Sequence, residues 1–508
     1  MNKFFNIVFG RILYTAIFVI LQLSAIVVMF LFFSEKFAYF YIFSILVSIV
    51  VLFHLIYKNG NPEYKLAWVI PILIFPIFGG FLYLVFSKNR VNERMTKRLN
   101  DLDGYYKDSV NTDDVPLETL KSSPSAYLQS KYIYNTAHTM PSQSTKTEYI
   151  PIGEDYFNKI MADIKNAKKF IFLEFFIVEE GYMWNNVLEV LKQKVAEGVE
   201  VRLIYDDFGC MLKLPQNYNK RLESYGIKTI VFHRFNNIFT PSFNNRDHRK
   251  ILIIDGMISY TGGINLADEY MNKIHPYGHW KDTAIKLTGV ATWDFTVMFL
   301  SLWNSLKNDK EDFSKYSPDI LTSNEIENDG FVQPFTDIPL DKHDISKNVY
   351  LNIINKAEKY VYITTPYLII DNTMLEALCN AATSGVDVRI VTPKIGDHKY
   401  IHFLSRSYYE TLIKYGVKIY EYTPGFIHAK NLVCDDKYAI VGTVNLDFRS
   451  LYLHYECAVW MYLSSAVADI KADFDKLFEV SENILEPKRH NLFARIIISI
   501  LKAFAPLL

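Results

Sequence analysis

The stretch from His248 to Asp255, HRKILIID, sets a histidine and a lysine two residues apart, then four apolar residues and an acid. On a strand, residues i and i+2 point to one face, so His248 and Lys250 project together while the apolar run anchors the strand in a core. A single edge of this kind is more often a solvated strand end than a site. The pattern recurs, however: HAKNLVCD runs from His428 to Asp435 with the same HxKxxxxD spacing. Past Asp255 stands GGIN, Gly262–Asn265, and at the same offset past Asp435 stands GTVN, Gly442–Asn445. Each copy then reaches an acid, Asp282 in KDTAI and Glu456 in YECAV, just before a new apolar alternation.

The flanks repeat as well. AKKFIFLEFFI from Ala167 answers AEKYVYITTPYLI from Ala357, and GVEVRLIYDDFG from Gly198 answers GVDVRIVTPKIGD from Gly385. Apolar β-branched runs that alternate with helical patterns indicate α/β units around a buried sheet, and a repeat on this scale is one unit used twice. The expected fold is therefore α/β, with two homologous halves over residues 134–310 and 325–485. Each is a mostly buried β-sheet flanked by helices, the two related by a pseudo-twofold axis.

If the two HxK edges face each other, one pocket collects two imidazoles, two ammonium groups and two amides, a set that suits a phosphate diester. Lys250 and Lys430 would offset charge on the non-bridging oxygens. Asn265, Asn445, the backbone at Gly262 and Gly442 and the Thr443 hydroxyl would donate hydrogen bonds. One histidine would attack phosphorus while the other protonates the leaving oxygen. Asp282 and Glu456 are expected as supporting residues that hydrogen-bond the histidines and fix their tautomers. Asp255 and Asp435 each end an apolar run, where orienting the turn competes with a part in the chemistry. Glu174 lies inside an apolar strand, where a carboxylate is either paired or lines the pocket. Arg246 and Arg249 flank the first histidine, as solvated charges or as further phosphate contacts. Asp206-Asp207 lacks a ligand-spaced partner, and the basic pocket needs no metal.

Composition bounds the rest. Among 508 residues, half are hydrophobic, and 54 Lys plus Arg balance 55 Asp plus Glu to a formal net charge of -1, so no global field draws the chain to nucleic acid. The four cysteines show neither CxxC nor Cys/His spacing, against a disulfide framework or a zinc site. Three apolar runs, Ile12–Phe33, Phe37–Tyr57 and Leu66–Phe86, each approach the length of a membrane span. Residues 1–86 are accordingly expected to form a membrane anchor of two or three transmembrane helices. Lys88, Arg90, Arg94, Lys97 and Arg98 follow the third run and place the catalytic halves on the cytoplasmic side, whereas Lys3 and Arg11 also suggest an inside N-terminus, so the number of crossings stays open. Residues 87–133 read as a polar juxtamembrane connector. In residues 486–508, Phe493, Ile496, Ile497, Ile500, Leu501 and Phe504 share one helical face, for the membrane interface or for a core.

The twin HxKxxxxD segments with their GxxN followers resemble the phospholipase D superfamily over most of residues 134–485. With LAWVIPILIFPIFGGFLYLVF, YDDFG, DHRKI, TGGIN and the closing PLL, the chain resembles more narrowly the bacterial cardiolipin synthases, over nearly its whole length. That resemblance implies a multi-pass protein of the bacterial plasma membrane that converts two phosphatidylglycerol molecules into cardiolipin and glycerol. The route runs through a phosphatidyl-histidine, with no cofactor, nucleotide or metal, and with other anionic phospholipids as possible partners. The family's catalytic pattern falls on His248, Lys250, Asp255, His428, Lys430 and Asp435. By analogy His248 is the nucleophile and His428 the general acid, although the two-fold symmetry leaves the reverse open. Gly263 and Thr443 depart from the serine usual after the first glycine. A phospholipase D hydrolase, a nucleic-acid phosphodiesterase and a non-catalytic lipid-binding scaffold are the rival readings, and the near-zero charge weighs against the second.

Overall fold

The computed structural model describes residues 34–58, 60–75, 79–80, 83, 115–234, 244–307, 311–318, 326, 328–339, 343–486 and 491–507, with single positions between 24 and 28. The chain divides into two compact units, one of residues 93–234 and 245–489, the other of residues 1–92, 235–244 and 490–508.

The larger unit holds two sheets. The first is built from β1 (Thr145–Ile150), β2 (Phe170–Phe175), β3 (Glu200–Asp206), β4 (Lys228–Phe232), β5 (Lys250–Ile254), β6 (Ile258–Gly262) and β8 (Ala284–Gly289), in the order β1-β8-β6-β5-β2-β3-β4; β7 (His279–Lys281) leaves it. The second contains β9 (Phe331–Asp337), β10 (Tyr360–Thr364), β12 (Asp387–Pro393), β13 (Lys418–Tyr422), β15 (Asn431–Cys434), β16 (Tyr438–Gly442), β18 (Glu456–Tyr462) and β19 (Ser481–Ile484), ordered β19-β13-β12-β10-β15-β16-β18-β9. Strand for strand the two are one topology, a parallel trio β2-β3-β4 or β10-β12-β13 continued by antiparallel strands, to which the second sheet adds β19. The repeat expected from sequence is thus a repeat of structure.

The HxK strands occupy the middle of each sheet, which explains their composition. β5 lies between β2 and β6, and β15 between β10 and β16, all antiparallel, and every residue of both is buried. A strand covered on both faces needs the continuous apolar runs Ile251–Ile254 and Leu432–Cys434.

One core spans both sheets. Phe172, Ile251, Ile253 and Ile285 of the first half cluster with Val433, Val441, Tyr455 and Val459 of the second, and the helix Thr292–Lys307 contributes Phe295 and Phe299. Backbone pairing also crosses between halves, where β7 runs parallel to β14 (Gly425–Ile427) and Asp247 bridges to Tyr455. These crossings hold the histidine edges of the two sheets together. The stretch expected as a polar connector includes the helices Val115–Thr119 and Pro124–Ala137, with Leu117, Leu120 and Ile133 buried.

In the smaller unit, helices Ser34–Tyr57 and Pro62–Ile74 pack around Leu55, Trp68, Ile72 and Tyr83, with Leu507 beside them. Among the described residues no helix is long and apolar enough to cross a membrane. The first apolar run lies outside the described residues. In the third the helix Pro62–Ile74 is described, while residues 76–78, 81–82 and 84–86 of that run lie outside the described residues. The second forms a helix that opens on Ser34-Glu35-Lys36 and carries Ser44, Ser48 and His54. The terminal helix Leu492–Phe504 exposes Leu492, Phe493, Ile496 and Ile500 and buries Ile498, so its apolar face is not spent on a core.

Candidate active site

The two HxK edges converge, and each half supplies the acid that holds the other half's histidine. His248 Nδ1 lies 3.0 Å from both carboxylate oxygens of Glu456, and His428 Nδ1 lies 2.6 Å from Asp282 Oδ2. Both acids are fully buried. Opposite an ionised carboxylate, Nδ1 carries the proton and Nε2 presents its lone pair. The backbone enforces the swap: His248 N–H donates to the Tyr455 carbonyl at 2.9 Å and His428 N–H to the Lys281 carbonyl at 2.7 Å, so each histidine enters beside the residue that precedes its acid.

Lys250 and Lys430 each donate to the carbonyl of the histidine two residues back. The charge of Lys250 is felt at both histidines and at Lys430, which joins the two edges into one electrostatic cluster. Burial lowers His248 to about 3, against the pull of Glu456, and holds His428 well below its usual range, with the two lysines adding to the effect, so both rings are neutral. Burial also lowers Lys250 to about 8 and Lys430 to about 7. The acids diverge. Burial lifts Asp282 to about 7 against the opposing charge of Lys430, whereas at Glu456 the burial cost is outweighed by His248 and its other donors, which hold it well below the usual range.

Aromatic rings enclose the imidazoles. Phe176 and His454 stand 5.2 and 5.5 Å from the His248 ring; Tyr270, Trp280 and Phe426 stand 5.6, 5.6 and 5.9 Å from His428. His454 and Trp280 occupy equivalent positions, two residues before Glu456 and Asp282, and neither was singled out in sequence. A comparison of YECAV with KDTAI extended backward by two residues would have found them.

Several expected site residues have other work. Asp255 accepts from the N–H groups of Lys168, Lys169 and Phe170 at 2.7–2.9 Å, and Asp435 from those of Glu358, Lys359 and Tyr360 at the same distances. Each sits in the left-handed region, φ 53° and 54°, at the far end of its strand, about 16 Å from the histidine edge at the rise of an extended chain. They clamp the start of the neighbouring strand and lie outside the reacting group. Glu174 stands opposite Ile251 and pairs with Arg249 at 2.6 Å, on the sheet face away from Lys250, because side chains alternate along the strand. Asn265 is saturated, accepting from Ile177 N–H at 3.0 Å and donating to Tyr270 Oη at 2.7 Å.

The glycine positions support the acids. A Cβ on Gly262 would meet the Thr283 carbonyl at 2.2 Å and one on Gly442 the Ala458 Cβ at 2.3 Å, at the ends of β6 and β16 where they pack against the strand that leads from the acid. Gly263 has no room for any side chain, since its Cβ would fall 2.0 Å from Asp282 Oδ1. Thr443 fills the equivalent place in the second half, where its hydroxyl donates to Glu456, as does that of Ser450. Asn445 alone among the expected amides keeps a buried, unpaired acceptor, Oδ1.

Among the described residues, His248, His454 and Glu456 are grouped closely enough to hold a metal ion. The carboxylate of that set already accepts from His248, Thr443 and Ser450, so its chemistry is that of a hydrogen-bonded orienting group.

Comparison with known proteins agrees with this geometry. The family described as "Cardiolipin synthase, PLD-like domain" matches residues 160–278 and 350–478, once in each half, and the family "Phospholipase D-nuclease N-terminal" matches residues 46–88. A cardiolipin synthase of Halalkalibacterium halodurans is 32% identical, covering 92% of this chain and 94% of its own length. The chain belongs to the cardiolipin synthase family. Cardiolipin synthase 2 of Bacillus cereus is 33% identical over 89% of this chain and 88% of its own. The crystal structure of phosphatidylserine synthase from Haemophilus influenzae shares the fold, with a TM-score of 0.55 at 15% identity over 75% of this chain and 98% of that one. The family's two-copy architecture is what the swapped acids require, since neither half holds its own histidine.

Proposed function

We propose that the protein is a phosphatidyltransferase that makes cardiolipin and glycerol from two phosphatidylglycerol molecules through a phosphatidyl-histidine. The observation that carries this reading is the crossed pair His248–Glu456 and His428–Asp282, flanked by two buried lysines. A diester phosphate drawn into the cluster restores the charge on Lys250 and Lys430 and gives them the anion they lack. Negative charge that builds on the non-bridging oxygens in the transition state is then held by preplaced cations in a dry site.

The acids support one assignment of the roles. Glu456 stays ionised under three donors, so His248 has a fixed Nδ1–H and an unprotonated Nε2, as a nucleophile needs. Asp282, raised to about 7, exchanges its proton near neutral pH, so the His428–Asp282 couple suits the general acid and base. His248 Nε2 attacks phosphorus while His428, in the tautomer whose Nδ1 accepts from protonated Asp282 and whose Nε2 carries the proton, protonates the departing glycerol oxygen. The Asp282 proton moves to Nδ1, which leaves an ionised Asp282 and a free Nε2 lone pair. In the return step His428 takes the proton of the incoming lipid hydroxyl, whose oxygen displaces His248. Exposed apolar side chains on helices Ser34–Tyr57 and Leu492–Phe504, the latter with Arg495 and Lys502, support attachment to a membrane that carries the substrate.

The test is to give purified protein and its His248→Ala variant phosphatidylglycerol in mixed micelles with chelator present, and to identify products by mass spectrometry. Cardiolipin plus glycerol from the unmodified protein alone is expected. Phosphatidic acid as the main product would make the protein a hydrolase, and no turnover would leave a lipid-binding scaffold.

A further inference from the structure

Phosphatidyl transfer between two lipids needs two phosphates in the site at once, one reacting and one belonging to the acceptor. The histidine and lysine edges account for the first. A second set of polar groups surrounds the His248 side and has no use in that chemistry. Arg449 Nε is buried without a hydrogen-bond partner, and among the described residues no carboxylate forms an ion pair with its guanidinium. Oδ1 of Asn445 is likewise buried and unpaired, and the ring nitrogens of His454 are buried without a hydrogen bond, Nδ1 lying 3.6 Å from Glu456 Oε1.

Arg449 is tied closely to the reacting centre. Its carbonyl accepts from His454 N–H at 2.9 Å, and the His454 ring stands 5.5 Å from that of His248. The carbonyl of Arg246 accepts from the next residue, Tyr455, at 2.8 Å, so two arginines are anchored at consecutive positions beside the nucleophile. Arg246 stacks on Phe208 at 5.2 Å and lies 3.7 Å from Asp206. Burial holds the Arg449 guanidinium below its usual range, the pull of Asp447 and Tyr400 opposes this, and the charge of Arg246 adds to it. Arg246 has Asp206 as a partner, whereas Arg449 forms no ion pair among the described residues, and a buried guanidinium nitrogen without an anion beside it is costly.

The first half has no counterpart. Four residues past Asn265, where Arg449 stands four past Asn445, is Glu269, 3.8 Å from Lys213. The cationic feature is therefore one-sided, as the donor and acceptor roles are.

We infer that Arg449, with Arg246, forms a second phosphate subsite that holds the acceptor lipid's own phosphodiester beside His248. The inference rests on the phosphatidyl-transfer reading above. The acceptor's terminal hydroxyl, separated from its phosphate by the three-carbon glycerol, is thereby placed against the phosphorus carried by His248. Its oxygen forms the new P–O bond, the P–N bond returns its electron pair to His248, and the hydroxyl proton passes to His428.

Two rates measured on the full chain in phosphatidylglycerol micelles test the subsite: cardiolipin formation, and exchange of isotope-labelled glycerol into phosphatidylglycerol. Exchange uses the same covalent intermediate but an acceptor without a phosphate. The ratio of cardiolipin to exchange should fall about 10- to 100-fold in Arg449→Gln, the range for a lost charged hydrogen bond, through a raised KM for the lipid acceptor. Arg449→Lys, which keeps the charge but loses the fork, should fall between that and the unmodified protein. If both rates drop together, or the ratio does not change, the subsite is overturned while transfer stands. Neither product from the unmodified protein would bring down the transfer reading and the subsite with it. Should Arg449→Gln fail to fold, as judged by thermal unfolding, the ratio in Arg449→Lys decides: a several-fold drop supports the subsite and an unchanged ratio overturns it.

Discussion

The two halves carry the same strand order and the same HxK edge, yet they hold their acids differently. Glu456, on the second half, accepts from His248 of the first and from two hydroxyls, Thr443 and Ser450. Asp282, on the first half, meets His428 and the N–H of Thr283 at 2.8 Å, with Gly263 where Thr443 would be. A longer side chain needs the extra donors to stay in place, and a shorter one is fixed by the backbone. The consequence is a permanently charged partner for one histidine and a titrating partner for the other. Duplication alone would have made the histidines equivalent; the side chains around the acids make them unlike.

The largest effects should come from the histidines. Alanine at His248 or His428 is expected to reduce cardiolipin formation by at least about 10³-fold, because each acts on a bond that the other cannot reach. A substrate with an activated leaving group that needs no protonation sharpens the comparison. Its release should persist in His428→Ala and disappear in His248→Ala, and the opposite pattern would exchange the two roles. Next come the acids. Glu456→Gln and Asp282→Asn should each lower kcat by about 10²-fold. Only Asp282→Asn should also alter the pH profile, since only Asp282 titrates near neutrality; equal profiles would remove the distinction between the halves.

The pH dependence follows from the lysines. Lys430, lowered to about 7, and Lys250, lowered to about 8, are charged below those values and lose charge above them. The free protein should therefore lose affinity for the anionic substrate as pH rises through 7 to 8, seen as a fall in kcat/KM that approaches tenfold per pH unit beyond the second value. Arginine stays charged throughout, so Lys430→Arg should move this limb to higher pH even if its shape lowers the maximum. A limb that stays in place would exclude Lys430 as its source.

Much of this was legible in the sequence because it depends on spacing. The strand period placed His248 with Lys250 and His428 with Lys430, and the double copy of GxxN past each strand disclosed the duplicated sheet. The participation of Asp282 and Glu456 was legible for the same reason. That each acid serves the opposite histidine was not, because it depends on β7 pairing with β14 and Asp247 bridging to Tyr455, contacts that no local pattern records. Asn265 and Asn445 look alike in sequence, yet one is saturated by Ile177 and Tyr270 and the other keeps an open acceptor, a difference made by neighbours far along the chain. The apolar N-terminal runs were read from hydropathy alone, and part of them forms the helices Ser34–Tyr57 and Pro62–Ile74.

The smallest effect on rate should come from the residues that the motif's spacing made most prominent after the histidines. Asp255 and Asp435 each gather three backbone N–H groups in a left-handed turn, so they contribute to stability by tying the hairpin of β5–β6 or β15–β16 to the start of β2 or β10. Asparagine tolerates the left-handed conformation but loses the charge and one acceptor, which isolates the clamp from backbone strain. Asp435 is buried and Asp255 only half-buried, so a broken clamp leaves N–H groups less exposed to water in the second half than in the first. Asp435→Asn should therefore lower stability by about 1–3 kcal/mol and Asp255→Asn by less, read as a shift in the thermal or denaturant midpoint. The rate per folded molecule should stay within about twofold in both, because neither carboxylate is near the phosphate. A hundredfold loss of kcat with an unchanged midpoint would return the motif's aspartates to the chemistry and leave the strand clamp without a function.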